Sequence, residues 1–108
     1  MRRLAVYRNG VLAGTLTEEN RSLYVFTYDE AYFNNVDCPA ISLTLPKQQR
    51  EYRSVFLFPF FFNLLSEGFN RKLQSAQWHI DEHDDFGLLM ATAQYDTIGA
   101  ITIKPIEL

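Results

Sequence analysis

The sequence predicts an α+β domain: a small antiparallel sheet, or a partly closed five-stranded barrel, packed by about three helices. Short segments of period-two alternation, separated by strong turn signals, fill the first half of the chain. A Phe-rich segment and further amphipathic stretches follow, and a β-branched run closes the sequence. The length of 108 residues fits one domain, 1–108, with a single modest core.

Leu4 to Arg8 and Val11 to Thr17 read as strands joined at Asn9-Gly10, a type I′ hairpin signal because both central positions take positive φ. Gly14, inside the second strand, marks a bulge or a close backbone approach. Glu18-Glu19-Asn20 reads as a polar turn. Arg21 to Tyr28 is a third strand with both faces partly covered: Leu23, Val25 and Thr27 share one side and Tyr24, Phe26 and Tyr28 the other. Asp29 is placed to N-cap a short helix through Ala31, Tyr32 and Phe33, ended by Asn34-Asn35. Cys38-Pro39 leads into Ile41 to Leu45, an alternating strand stopped by Pro46. Residues 47–53 read as a charged loop.

Five of the nine phenylalanines fall between Phe56 and Phe62, in a stretch too apolar for a surface helix and too short to cross a membrane. Ser54 is placed to cap this helix, Pro59 stands within its first turn or so, and Gly68 ends it. A second helix is expected from Phe69 to Ile80, with Leu73, Ala76, Gln77 and Ile80 on one face. After an acidic break, Asp84 or Asp85 caps a third, Phe86 to Gln94, which Gly87 weakens slightly. Ile98 to Ile103 forms the last strand, ended by Pro105.

A net charge of −3 disfavours direct nucleic-acid binding, which draws its affinity from basic residues on phosphates. The segment Lys47 to Arg53 contains Glu51 and reads as a solvated loop. The single cysteine, Cys38, has no disulfide or metal-site partner cysteine, which points to a reduced, cytoplasmic setting. The N-terminus carries no signal-peptide pattern, and no apolar run approaches the ~20 residues of a membrane span.

No catalytic constellation emerges. His79 and His83 stand four apart beside Asp81, Glu82, Asp84 and Asp85, but without the His-Glu-x-x-His pattern of a zinc helix; the cluster reads as a solvated acidic loop. There is no phosphate-binding glycine loop and no nucleophile elbow, and Cys38 lies before a proline with neither histidine near in sequence. The expectation is a non-enzyme without cofactor or metal. Aromatics make up 15% of the chain, so the rings either all fill the core or in part face a partner. Phe69, after Ser66-Glu67-Gly68, either projects into a partner's pocket or folds back on the preceding helix.

Several segments, in register along nearly the whole chain, resemble the HipA N-terminal domain family. Phe61 to Gly68 is similar to its Phe-Phe-x-Asn-Leu-Leu-Pro-Glu/Asp-Gly segment, Asp85 to Leu89 to its Phe-x-Leu-Leu element, and Asp96 to Ile103 to its Asp-x-x-Gly-Ala-Val strand. Val6 to Gly10, Gly14 to Leu16 and Ile41 to Pro46 match as well. Longer family members continue into a serine/threonine-kinase-like body. The chain looks like the stand-alone form, similar to the HipS antitoxin of HipBST toxin–antitoxin systems. That resemblance implies a non-catalytic antitoxin or regulatory subunit that binds and inhibits a HipT/HipA-type kinase, with a HipB-like DNA-binding protein as a further member of the complex. The alternative it leaves open is a structural subunit that completes a split kinase without inhibiting it. The kinase-binding loop is expected at Asn63, Ser66, Glu67, Gly68 and Phe69. Ser66 stands where the family has proline, which makes this turn less rigid.

Overall fold

The computed structural model describes residues 2–62, 84–92 and 101–106. Five strands form one open antiparallel sheet: β1 (Arg2–Arg8), β2 (Val11–Asn20), β3 (Leu23–Tyr28), β4 (Glu51–Ser54) and β5 (Ile101–Ile106), in the order β4-β3-β2-β1-β5. The sheet does not close into a barrel, because β4 and β5 are its two edges. Three helices accompany it among the described residues: α1 (Glu30–Asn34), α2 (Pro59–Phe62) and α3 (Asp85–Thr92). The helix expected over 69–80 lies outside the described residues.

The β1–β2 hairpin turns as its sequence requires, with Asn9 at φ 51° and Gly10 at φ 78°. Past the turn, Tyr7 pairs with Leu12 but Val6 pairs with Gly14, so Ala13 is the extra residue of a bulge. Its carbonyl accepts the Asp29 N–H at 2.8 Å, at the start of α1. Asp29 caps that helix through Oδ2, which accepts from the Tyr32 N–H.

One face of the sheet carries the core. Cross-strand partners share a face, so Leu4, Leu16, Phe26 and Tyr52 form one row, and Val6, Gly14, Tyr28 and Ile103 lie on the same side. Phe61 of α2 and Phe86, Leu88 and Leu89 of α3 belong to this core. Gly14 leaves room for the Phe26 ring: a Cβ there would stand 2.4 Å from the Thr27 carbonyl oxygen and 2.8 Å from the Phe26 ring. The opposite face, with Arg3, Thr15, Thr17, Thr27 and Arg53, is mostly polar, although Val25 is buried there.

Several expectations are corrected. Glu18-Glu19-Asn20 is not a turn: β2 runs on through a second irregularity to Asn20, and the reversal falls at Arg21-Ser22, where Asn20 Oδ1 accepts from the Ser22 N–H at 2.8 Å. Ile41 to Leu45 is not a strand. Ser42 Oγ accepts from the Thr44 N–H at 3.2 Å and the Leu45 N–H bonds the Ser42 carbonyl at 3.1 Å, so local bonds replace a ladder. The burial does not alternate either: Ile41 and Leu45 are inside, but Leu43 between them is 99% exposed. The fourth strand comes instead from the stretch read as a charged loop. Glu51 and Arg53 pair on its outer side at 3.0 Å, while Tyr52 turns inward. Pro105 does not end β5; it pairs opposite Leu4 on an edge strand, where a missing N–H is tolerated.

The loop over residues 35–50 is tied down by side chains. The Tyr28 hydroxyl donates to the Leu45 carbonyl and accepts from the Ile41 N–H at 3.2 Å. Tyr32 donates to the Pro39 carbonyl at 2.5 Å, and Tyr52 to the Pro46 carbonyl. Lys47 Nζ donates to the Asn35 and Cys38 carbonyls at 2.7 and 2.6 Å and lies 5.2 Å from the Tyr32 ring centroid.

Two substitutions test this account. Gly14→Ala should cost about 1–3 kcal/mol in chemical denaturation, because the methyl group meets backbone rather than a movable side-chain tip. Tyr28→Phe should also cost about 1–3 kcal/mol, since it strands a buried carbonyl and a buried N–H together; an unchanged unfolding midpoint would refute the pinning role.

Candidate interaction surface

The loop residues singled out in the sequence, Asn63, Ser66, Glu67, Gly68 and Phe69, lie outside the described residues, as do His79 and His83. What the structure places is the approach to them. The Phe-rich segment does not form one helix from Ser54. Ser54 ends β4, and its Oγ accepts from the Phe56 N–H at 3.1 Å in a tight serine turn. The helix begins only at Pro59, the position where a proline costs no hydrogen bond. The Phe58 carbonyl accepts from the Phe61 and Phe62 N–H groups, both at 3.0 Å.

This backbone sorts the phenylalanines. Phe58 and Phe61 are buried, and Phe61 packs edge-on against Phe58 and Phe60 at centroid distances of 6.3 and 5.1 Å. Phe60 and Phe62 are half-buried at the margin of the core. Phe56 points away and is 76% exposed, beside Val55 at 60%. The rings of this segment therefore do not all fill the core.

Val55 and Phe56 open on a cleft of about 490 Å³, lined also by Tyr24 and Phe62, with Arg21 and Asp85 adding a charge of each sign. One wall is fixed by a charged clamp. Asp84 is the N-cap of α3, its Oδ1 accepting from the Gly87 N–H at 3.1 Å. The same carboxylate takes both terminal nitrogens of Arg2 from β1, at 3.0 and 2.8 Å. Arg2 Nε also donates to Glu18 at 2.8 Å, and the guanidinium lies 5.2 Å from the centroid of the Phe86 ring. Phe86 and Tyr24 are ring neighbours at 6.3 Å, so the clamped start of α3 packs beside a residue that lines the cleft. Sequence reasoning found the cap but not Arg2, since 82 residues separate the partners and only the fold joins them.

Gly87 has a use its helix propensity hides. A Cβ there would stand 2.3 Å from Asp84 Oδ2 and 3.1 Å from Arg2 Nη1, displacing the bidentate pair. The hydrogen bond from Arg2 holds the Asp84 carboxyl below its ordinary value, with help from the Gly87 N–H and against the opposing effect of burial. Asp84 in turn raises the Arg2 guanidinium. Burial pushes the Tyr24 phenol up, and the Glu18 carboxylate adds to it. Among the described residues, no three His, Cys, Asp or Glu side chains gather to hold a metal ion, and no helix is long and apolar enough to cross a membrane.

The model of the HipA N-terminal domain matches residues 4–104. The chain belongs to that family. An uncharacterised protein of Haemophilus influenzae is 30% identical over 99 residues, 92% of this chain and 88% of its own length. "Putative kinase Y4mE" of Sinorhizobium fredii is 28% identical over 105 residues, covering 97% of this chain. The chain spans only 25% of that relative. The solved N-terminal domain of HipA toxin superposes with a TM-score of 0.71 at 25% identity, over 99% of this chain and 94% of that one. The family resemblance carried by the sequence motifs is thus shown, along with its α+β fold.

The clamp generates a pH prediction. A carboxyl depressed in the folded state gives stability that is complete above its ordinary value of 3.8 and is lost as pH falls through the lower folded value. Arg2→Ala should cost about 1 kcal/mol near neutrality and flatten the acid limb of Tm. Asp84→Asn keeps the cap acceptor and should flatten the same limb; a limb unchanged in both variants would show that the pair contributes nothing.

Proposed function

We propose that this chain is a non-catalytic antitoxin or regulatory subunit that binds a HipT/HipA-type serine/threonine kinase and holds it inactive. The observation that carries the proposal is the pair of relatives. Nearly the whole chain matches a protein of about its own length, and it also matches a quarter of a protein named as a kinase. One domain used both alone and joined to a larger body is what a separable kinase subunit requires. The exposed Val55–Phe56 pair supports it, since apolar surface opening on a cleft is the mark of an association site. Such a role places the chain in the cytoplasm with Cys38 reduced, and a HipB-like protein would supply any contact with DNA.

The same match favours one second reading: a subunit that completes a split kinase without inhibiting it, because in the rhizobial relative the matched region is part of the kinase-named chain itself. Autophosphorylation of a HipA-type kinase from the same organism, measured with increasing amounts of this protein, separates the two. Under the antitoxin reading, phosphate incorporation falls to background as the protein saturates the kinase. A rise selects the completing subunit, and no change together with no co-purification removes both.

A further inference from the structure

Among the described residues, Val11, Leu12, Val36, Leu43, Val55 and Phe56 are the large apolar side chains left exposed. Val11 and Leu12 follow the hairpin turn, and Val36 and Leu43 stand singly on the 35–50 loop; isolated apolar residues on a surface are ordinary. Val55 and Phe56 differ in including an aromatic ring and in opening on a cleft whose other walls include Tyr24 and Phe62. The ring is not left over from a full core. Phe58, two residues on, is buried, while the hydrogen bond from the Phe56 N–H to Ser54 Oγ fixes a turn that leaves Phe56 outside. A large ring held out by a defined turn needs little ordering when it binds, which is what an interface anchor requires.

The walls say what would fit. Tyr24, Val55, Phe56 and Phe62 ask for an apolar side chain, and Arg21 and Asp85, one charge of each sign, ask for polar groups beside it. Three quarters of the rhizobial relative lies outside the region this chain matches, so there the same domain shares its chain with a much larger body. We propose that the Val55–Phe56 cleft is the docking site for the kinase. It receives an aliphatic or aromatic side chain of the kinase surface flanked by polar residues, and Phe56 is the principal anchor on this side. The proposal rests on the reading that the chain binds a HipA-type kinase, and adds where and by what chemistry.

The test is calorimetric titration of a HipA-type kinase from the same organism with the wild-type chain, Phe56→Ala and Leu43→Ala, alongside thermal melts and sedimentation of each chain alone. Phe56→Ala should weaken binding by about tenfold or more, while Leu43→Ala binds as wild type and all three melt together. Wild-type affinity in Phe56→Ala would overturn the cleft as docking site and leave the kinase-binding function standing. A wild-type chain that binds no kinase removes both. A lower melting temperature for Phe56→Ala would mean that its own chain covers the ring, and wild-type dimers lost in Phe56→Ala would mean that a second copy does. Either result overturns the proposal.

Discussion

The absent side chain at Gly14 is the constraint on which the rest of the packing depends. Phe26 lies where a Cβ on β2 would be. In that position its ring meets Tyr28 edge-on at 4.9 Å and Phe61 at 5.6 Å, and through Phe61 it seats α2 on the sheet. The neighbouring bulge acts on the same strand. Ala13, the unpaired residue, offers its carbonyl to the Asp29 N–H and so fixes where α1 begins. One missing methyl group and one extra residue thus place two helices, and neither effect follows from hydrophobicity alone. A β-strand that kept strict alternation through 11–20 would have a side chain where the ring must go.

Tyrosine does the work that strand pairing would otherwise do between residues 35 and 50. The backbone carbonyls there have no ladder partner, and buried carbonyls need donors. Tyr28 and Tyr52, on the core face of β3 and β4, reach the Leu45 and Pro46 carbonyls, and Tyr32 of α1 reaches that of Pro39. Burial pushes the Tyr28 and Tyr32 phenols up, so both stay protonated donors at any ordinary pH. Tyr28 stacks nearly parallel to Tyr32 at 6.0 Å, which keeps the two hydroxyls in fixed relation. Arg50 closes the arrangement: its Nε donates to the Tyr28 carbonyl and its own carbonyl accepts from the Tyr28 N–H, both at 2.8 Å.

The parts of the fold that were legible in the sequence are those decided by neighbours in the chain. Asn9-Gly10 needs positive φ, Asp29 and Asp84 cap the turn that follows them, and the alternation of 23–28 is readable as it stands. The parts that misled were decided at a distance. Ile41 to Leu45 has a strand's alternation of apolar and polar residues, but Leu43 is exposed, and the burial of Ile41 and Leu45 is arranged by tyrosines and a serine turn rather than by a ladder. Glu51 to Ser54 is a strand despite its charges, because an edge strand with one inward tyrosine can carry Glu51 and Arg53 on its open side. Pro105 reads as a stop only until its place on the edge is known. The Arg2–Asp84 clamp joins residues at opposite ends of the chain, and no local pattern announces it. Of the surface around the cleft, the Phe-rich run drew notice, but which ring faces outward was set by Ser54, read there as a helix cap.

That outward ring bears on how a separate subunit would differ from a fused one. A domain joined to its kinase holds it at an effective concentration set by the linker, in the millimolar range for short ones, and needs little affinity of its own. A separate subunit must also offset the lost translational and rotational freedom, put at ~4–15 kcal/mol, from its interface alone. Small domains meet such a demand with a few well-placed aromatic residues rather than with area. If the chain acts apart from its kinase, as proposed, then a segment that buries Phe58 and Phe61 while exposing Phe56 is suited to both tasks at once. The buried rings hold α2 to the sheet, and under that proposal the exposed one is left to hold the partner.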